Sequence, residues 1–409
     1  MGKRKTFLLA LALLAVVGLL IIFLYWLFRI IRPAPTPTAT PTAPLDARLP
    51  LAATGTQQII TTANPASLSP NAAANPATTK TASAVSRENK IQDLSTDSLL
   101  TPTANPAGGL NYYNYDDNKF YRLTAAGPAA PLSDQQFYNV QTVIWSADMN
   151  QAVLSYPDNS KIIYNFATNK QVTLPKHWQE FQFSPDGQRL VFKSLGTTVD
   201  DYWLGTVNSD GSGGVPLEKI GVNAGKVITA WSPNNQVVAM MPEVVSADQS
   251  KIYFIGLNGE NFPELLVNGS GFEPLWSPNG QQLLYSVYDQ SSGYKPTLWI
   301  TTASGDQIGA GNRPLEINTW ADKCVFATED YLYCAVPRDL ADGVGILGSV
   351  ASQASEDVYL INLKNGQQQI IDSQNNFTAR DLQYSAKDQA LYFIDRQSGL
   401  LKKLSLPAL

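Results

Sequence analysis

The segment PLWSPNGQQLLYSV, residues 274–287, belongs to a ladder of related stretches that limits the fold more than any other feature of the chain. Aligned on the serine, IWSADMNQAVLSY (144–156), FSPDGQRLVFKS (183–194), WSPNNQVVAMMP (231–242), WSPNGQQLLYSV (276–287) and YSAKDQALYFID (384–395) share one pattern. FATEDYLYCAVP (326–337) is a weaker copy, and NPAGGLNYYNY (105–115) is the weakest. The anchors Asn105, Ser146, Ser184, Ser232, Ser277, Ala327 and Ser385 are spaced by 41, 38, 48, 45, 50 and 58 residues. A period of that length is the signature of a solenoid or a propeller.

Each position suits a tight hairpin. Pro185, Pro233 and Pro278 preset φ for a type I turn. The third place, as at Asp186, holds Asp or Asn, whose side chain bonds its own backbone. The fourth place accommodates positive φ through Gly187, Gly280, Asn235, Asp388 and Asp330. Met149 breaks that rule, and Asn150 beside it is the expected substitute through a longer turn. Trp145, Phe183, Trp231, Trp276, Phe326 and Tyr384 precede the anchors and are expected to pack blade against blade. An apolar strand follows each turn, and most units hold two further strand candidates. Four short antiparallel strands per unit describe a propeller blade.

This hairpin resembles the repeat of TolB-like β-propellers, whose consensus runs close to FSPDG, over roughly residues 100–409. The resemblance implies an all-β propeller of four-stranded blades, exported and acting as a non-catalytic protein-interaction module. Similar blades precede the catalytic domain of prolyl-oligopeptidase-like enzymes, but no α/β-hydrolase-sized segment is expected after these. Seven anchors predict seven blades, with six as the alternative count because the first copy is faint. The last unit lacks a fourth strand, and KIQDLSTDSLL (90–100) is the expected donor that closes the ring.

The residues before the propeller give the cellular address. Residues 7–31, FLLALALLAVVGLLIIFLYWLFRII, contain one charge, Arg29. Such a run spans a bilayer as a helix of roughly 20 apolar residues. Lys3, Arg4 and Lys5 in residues 1–6 place the N-terminus in the cytoplasm and the rest outside. A cleaved signal peptide is the rival, but its apolar region would be only about 7–15 residues long and end at small residues. The reading is a single-pass signal anchor in the cell membrane. Residues 32–89, rich in Pro, Thr and Ala, cannot offset their ordering entropy and read as a disordered tether. Residues 90–409 form the propeller.

Few groups suggest chemistry. His177 is the one histidine of the chain, which removes most histidine triads and multi-histidine metal sites. Catalysis there would need a partner such as Glu180. No catalytic, cofactor-binding or metal-ligating residues are assigned, and no cofactor is expected. Cys324 and Cys334 flank the FATED turn almost opposite each other, so outside the cytoplasm they are expected to form a disulfide, with two buried thiols as the alternative. NSDGSGG (208–214) lacks the alternating carboxylates of a calcium loop and reads as a strand connection. Ser146, Ser184, Pro185, Asp186, Gly187, Ser232, Ser277, Gly280 and Ser385 are structural turn residues.

A net charge of −5 without a basic stripe argues against nucleic acid. The leading expectation is a membrane-anchored propeller that binds another envelope protein. Glycan binding is the runner-up, with Tyr112, Tyr113, Tyr202 and Trp203 as stacking candidates. A propeller glycosidase comes third, with adjacent acids at Asp200–Asp201 and Glu329–Asp330. The 336–357 insert is expected to project from one face, as a binding surface or as a tolerated excursion.

Overall fold

The structure, a computed structural model, describes residues 91–95, 99–124, 127–246, 248–348 and 354–408. The anchor at 7–31 and the tether at 32–89 lie outside the described residues. Among the described residues there is no α-helix, and none is long and apolar enough to cross a membrane.

Seven four-stranded antiparallel sheets follow one another along the chain. The first six blades span residues 99–131, 142–174, 178–219, 228–268, 270–314 and 324–372. The seventh combines three strands from 379–405 with the N-terminal strand Ile91–Ser95. First strands of neighbouring blades approach one another and so surround the axis. The seven-blade count therefore holds, faint first copy included: Asn105 sits in a true hairpin, donating to Gly109 O (2.9 Å).

The ring closes as the missing strand required. Ile91 pairs with Leu404, Gln92 with Lys403 and Asp93 with Lys402. The donor is shorter than the segment proposed from sequence, because Leu99 and Leu100 belong to the first strand of the first blade.

Seven hydrophobic clusters fill the seven junctions between blades, including the one joining the seventh to the first through Leu401, Ile394, Leu110 and Tyr112. Second strands sit between two neighbours and are buried on both sides, as in Leu110–Asn114 and Ala390–Asp395. That explains the continuous apolar runs after each turn. The six aromatics before the anchors all enter these clusters, each packing back on the preceding blade. Trp231, for example, lies among Val191 and Leu204 of the third blade. Trp276 also donates its Nε1 proton to Ala230 O at 3.1 Å.

Antiparallel order divides the loops between two faces. Turns after first and third strands lie on one face, here the turn face. Loops after second strands and the links between blades lie on the other, the loop face. The chain enters the ring at Ile91, on the turn-face end of the seventh blade's outermost strand.

Candidate functional site

The turn face is built by the repeat residues. Ser146, Ser184 and Ser232 direct Oγ to Asp148, Asp186 and Asn234 at 2.5, 2.5 and 2.6 Å. Ser277 does the same to Asn279 (3.0 Å) and Ser385 to Asp388 (2.8 Å). Pro185 lies within the third blade's turn, which Gly187 closes by donating to Ser184 O at 2.9 Å. Burial is the largest single influence on Asp148 and raises it, but hydrogen bonds from Ser146 and Asn150 together outweigh it and hold the carboxyl below its usual range; at Asp186 the bonds from Ser184 and Gln188 dominate and lower it.

Three turns differ from expectation, and in the sixth blade's turn Asp330 does not take positive φ. Met149 itself adopts φ 58°, so Asn150 does not substitute for it. In the seventh blade Gln389, not Asp388, takes φ 45°, because the Asp388 side chain is bonded to Ser385, Gly109 N and Tyr392.

These turns are also joined into a belt that single-hairpin reasoning missed. Asn111 reaches Met149 O (3.4 Å), Gln151 reaches Gly187 O (2.7 Å), and Asn234 reaches Gly280 O (2.9 Å). Glu329 accepts from Asn279 N and Asp388 from Gly109 N, both at 2.6 Å. Between the third and fourth blades the Arg189 guanidinium lies over Trp231 at 5.4 Å. This face is polar and bonded within itself, with Glu329 Oε2 buried and left without a partner.

Burial perturbs acidic groups on and beside the innermost strands. Glu273, on the fifth blade's innermost strand, is pushed up to about 7 by desolvation, with repulsion from Asp322 adding to it. Burial likewise raises Asp322, opposed by Lys323 and Arg396 and assisted by Asp381. Among the described residues no group of three or more His, Cys, Asp or Glu is arranged to hold a metal ion.

The sequence candidates for catalysis are separated. His177 is exposed in the link before the third blade, while Glu180 pairs with the buried Lys193 at 2.5 Å. Asp200 pairs with Lys219 at 3.1 Å, whereas Asp201 accepts from Thr198 at 2.9 Å. Glu329 belongs to the turn belt, and Asp330 pairs with Lys364 at 2.7 Å. Residues 209–214 simply join two strands, with Asp210 accepting from Ser212. Cys324 and Cys334 form a disulfide between directly opposed residues, Cα–Cα 4.1 Å.

Two of the aromatics proposed to stack on sugars are core residues. Tyr113 is fully buried, with its hydroxyl bonded to Phe137 O at 2.6 Å. Tyr112 is also buried and stacks on Tyr121 at 5.8 Å. Both lie on a second strand, where neighbouring blades cover each side. Tyr202 is half-buried, and Trp203 remains exposed at the loop face.

The loop face carries what the sequence reading missed. Among the described residues, thirteen large hydrophobic side chains are exposed. Ten belong to this face: Tyr115, Tyr138, Val199, Trp203, Val222, Val244, Val245, Tyr294, Ile346 and Leu347. Val215, Leu266 and Ile370 lie elsewhere, on outermost strands. The available signal was aliphatic residues at hairpin tips, where turn chemistry ordinarily selects polar ones.

The 336–357 insert does not stand away from the surface over its described part. It is the sixth blade's loop between second and third strands, and it leans on the fifth blade. Gly343 N donates to Gly293 O (2.8 Å), and Gly345 N donates to Tyr294 O (2.7 Å). Lys295 and Asp342 add an ion pair at 3.1 Å, and Val344 is buried. The exposed Ile346 and Leu347 follow directly. Residues 349–353 lie outside the described residues.

Fold and surface together define a seven-bladed β-propeller with a polar turn face and a loop face that carries most of the exposed large hydrophobic side chains. The family model for the N-terminal β-propeller domain of prolyl oligopeptidase matches residues 226–405, the fourth to seventh blades. The TolB-like resemblance is a coarser statement of the same class. No curated protein matches the sequence. Among solved structures, the Cps50 (Swd1) β-propeller domain of Myceliophteria thermophila is 12% identical, with a TM-score of 0.51 over 78% of this chain and 100% of that one. A prolyl endopeptidase is 14% identical, with a TM-score of 0.50 over 77% of this chain and 51% of that one. An oligogalacturonate lyase in complex with manganese is 14% identical, with a TM-score of 0.49 over 79% and 94% of the two chains. At such identities the likeness concerns the fold.

Proposed function

We propose that this protein is a non-catalytic docking propeller of the cell envelope, anchored by residues 7–31, whose loop face binds another protein. The observation that carries the reading is the concentration of exposed apolar side chains on that one face. A soluble propeller has no need of Val222 at 81% exposure or Val244 at 67%, and clustered exposure of this kind marks interaction surfaces. Chain entry at Ile91 on the opposite face leaves the loop face clear of the tether's attachment. The likeness to propellers of enzymes supplies architecture and no chemistry.

The test is co-sedimentation of the full chain with isolated envelope material, before and after protease treatment of that material. Binding that protease abolishes, and that Val222→Asp with Val244→Asp weakens while Asp210→Lys on the turn face does not, supports a protein partner. Binding that survives protease overturns it in favour of glycan. Turnover of an envelope polysaccharide would overturn the non-catalytic reading.

A further inference from the structure

Between the fourth and fifth blades the loop face opens into a cleft of about 590 Å³ lined by Ser246, Asp248, Gln249, Asn268, Asp289 and Ser291 among others. No lysine or arginine lines it, and no cation pairs with Asp248 or Asp289 among the described residues. The neighbouring Lys295 is turned to Asp342. The polar lining therefore includes two carboxylates, Asp248 exposed and Asp289 half-buried, that no cation offsets.

Exposed apolar side chains stand on the loops that flank it. Side chains alternate along the Val237–Ser246 strand, so Val244 shares the fifth-blade side with Met240, which packs in the cluster between those blades. Val244, two residues before Ser246 of the lining, is thus exposed on that side at 67%. Across the cleft, Asp289 O accepts from Tyr294 N at 2.7 Å, fixing an exposed tyrosine to the loop that supplies the cleft's acid. Tyr294 O in turn accepts from Gly345, which places Ile346 and Leu347 beyond it. Backbone hydrogen bonds thus tie the loop that carries Asp289 to the segment that carries Ile346 and Leu347.

We propose that this cleft receives a segment of the partner protein in which a lysine or arginine is flanked by aliphatic residues. The basic side chain meets Asp248 and Asp289, and the aliphatic ones cover Val244 on one side and Tyr294 with Ile346 on the other. Charge complementarity selects this chemistry, since an acidic segment would be repelled and an uncharged one would leave two carboxylates desolvated without a counter-charge. The inference rests on the protein-docking reading and names the part of the face that reads the partner.

The probe is an array of synthetic peptides with Lys or Arg between Val, Leu or Ile, alongside matched peptides with Glu or Ser in the basic place. The detergent-solubilised full chain is applied at low and high salt. Asp248→Asn with Asp289→Asn is the test variant, because asparagine keeps the Oδ1 that accepts from Ser292 N at 2.9 Å. Val244→Ser tests the apolar flank separately. Expected is a preference for the basic class that falls with salt, and a loss of at least about tenfold in each variant, equivalent to 1.4 kcal/mol. Equal binding of all classes, or an unchanged preference in the Asn variant, overturns the proposal. If that variant still co-sediments with envelope protein at full strength, the docking reading stands and this cleft is not its site.

Discussion

Glu356 and Lys323 hold the two backbone polar groups of a single residue, Ala379. Glu356 Oε2 accepts the N–H of Ala379 at 2.7 Å, and Lys323 Nζ donates to the Ala379 carbonyl at 3.0 Å. The two side chains also pair with each other, at 0% and 10% exposure. Ala379 begins the innermost strand of the seventh blade. The pair therefore fixes the blade that the N-terminal strand must complete.

Removing one partner is expected to cost more than removing both. Lys323→Met leaves Glu356 as a buried, uncompensated carboxylate, at a cost of about 3–5 kcal/mol. The double variant with Glu356→Met should recover part of that loss. Burial already raises the Glu356 carboxyl, and Lys323 opposes the shift. In Lys323→Met, then, the folded state holds a proton more tightly, and the deficit should shrink as pH falls. Urea unfolding of the single and double variants at two pH values reads both effects.

Glu273 should make stability depend on pH. Its folded value of about 7 lies above the ordinary 4.5, so between those values the folded chain carries a proton that the unfolded chain has released. Stability from this group is full below 4.5 and is lost as pH rises to about 7. Glu273→Gln should lose that part of the dependence and gain relative stability at pH 8. Equal slopes for the two proteins across the window would refute the assignment.

Gly280 and Gly187 occupy equivalent turns at φ 70° and 68°, yet an added methyl should cost more at Gly280. Its Cβ would lie 2.7 Å from the backbone N of Asn234, whereas at Gly187 the nearest atom is Ser146 Cβ at 3.5 Å. Gly187→Ala is expected to lose about 1 kcal/mol from backbone strain alone. Gly280→Ala should lose clearly more, and its blade junction should be the one that loosens. Thermal unfolding ranks the pair.

The Cys324–Cys334 bond closes a short loop, with a sequence separation of 10. Chain entropy assigns such a loop about 2–3 kcal/mol. Cys324→Ala with Cys334→Ala should lower the unfolding midpoint accordingly, and dithiothreitol should move the parent midpoint toward the variant's while leaving the variant unchanged.

What the sequence made legible was what is local. Ser-Pro-Asp-Gly chemistry sits within one turn, so Ser184 to Gly187 announce their hairpin without reference to the rest of the chain. The aromatics before the anchors recur because every blade junction needs the same filling. Closure could be inferred because a missing strand is a counting problem. The turn belt was not legible, since Gln151 and Gly187 are brought together only by the ring. The insert's seat on Gly293 and Tyr294 uses backbone groups, which every residue carries. Tyr112 and Tyr113 were misplaced as surface aromatics because a second strand is covered on both sides, and alternation gives no warning of that. The cleft at Asp248 and Asp289 joins hairpin tips of two blades that sequence order separates by a whole strand set.

Lys402 bonds to Asp93 across 309 residues of chain. Synthesis from the N-terminus therefore produces the latch long before its catch. Until residues near 401–405 emerge, the Ile91–Ser95 strand and the seventh blade's open edge both display unpaired backbone. A chain interrupted anywhere in its last blade would remain an open ring with two adhesive ends, recognisable to a protease and incapable of settling. The first strand of the ring to be made is thus the last to find its partner, and closure waits on the seventh blade.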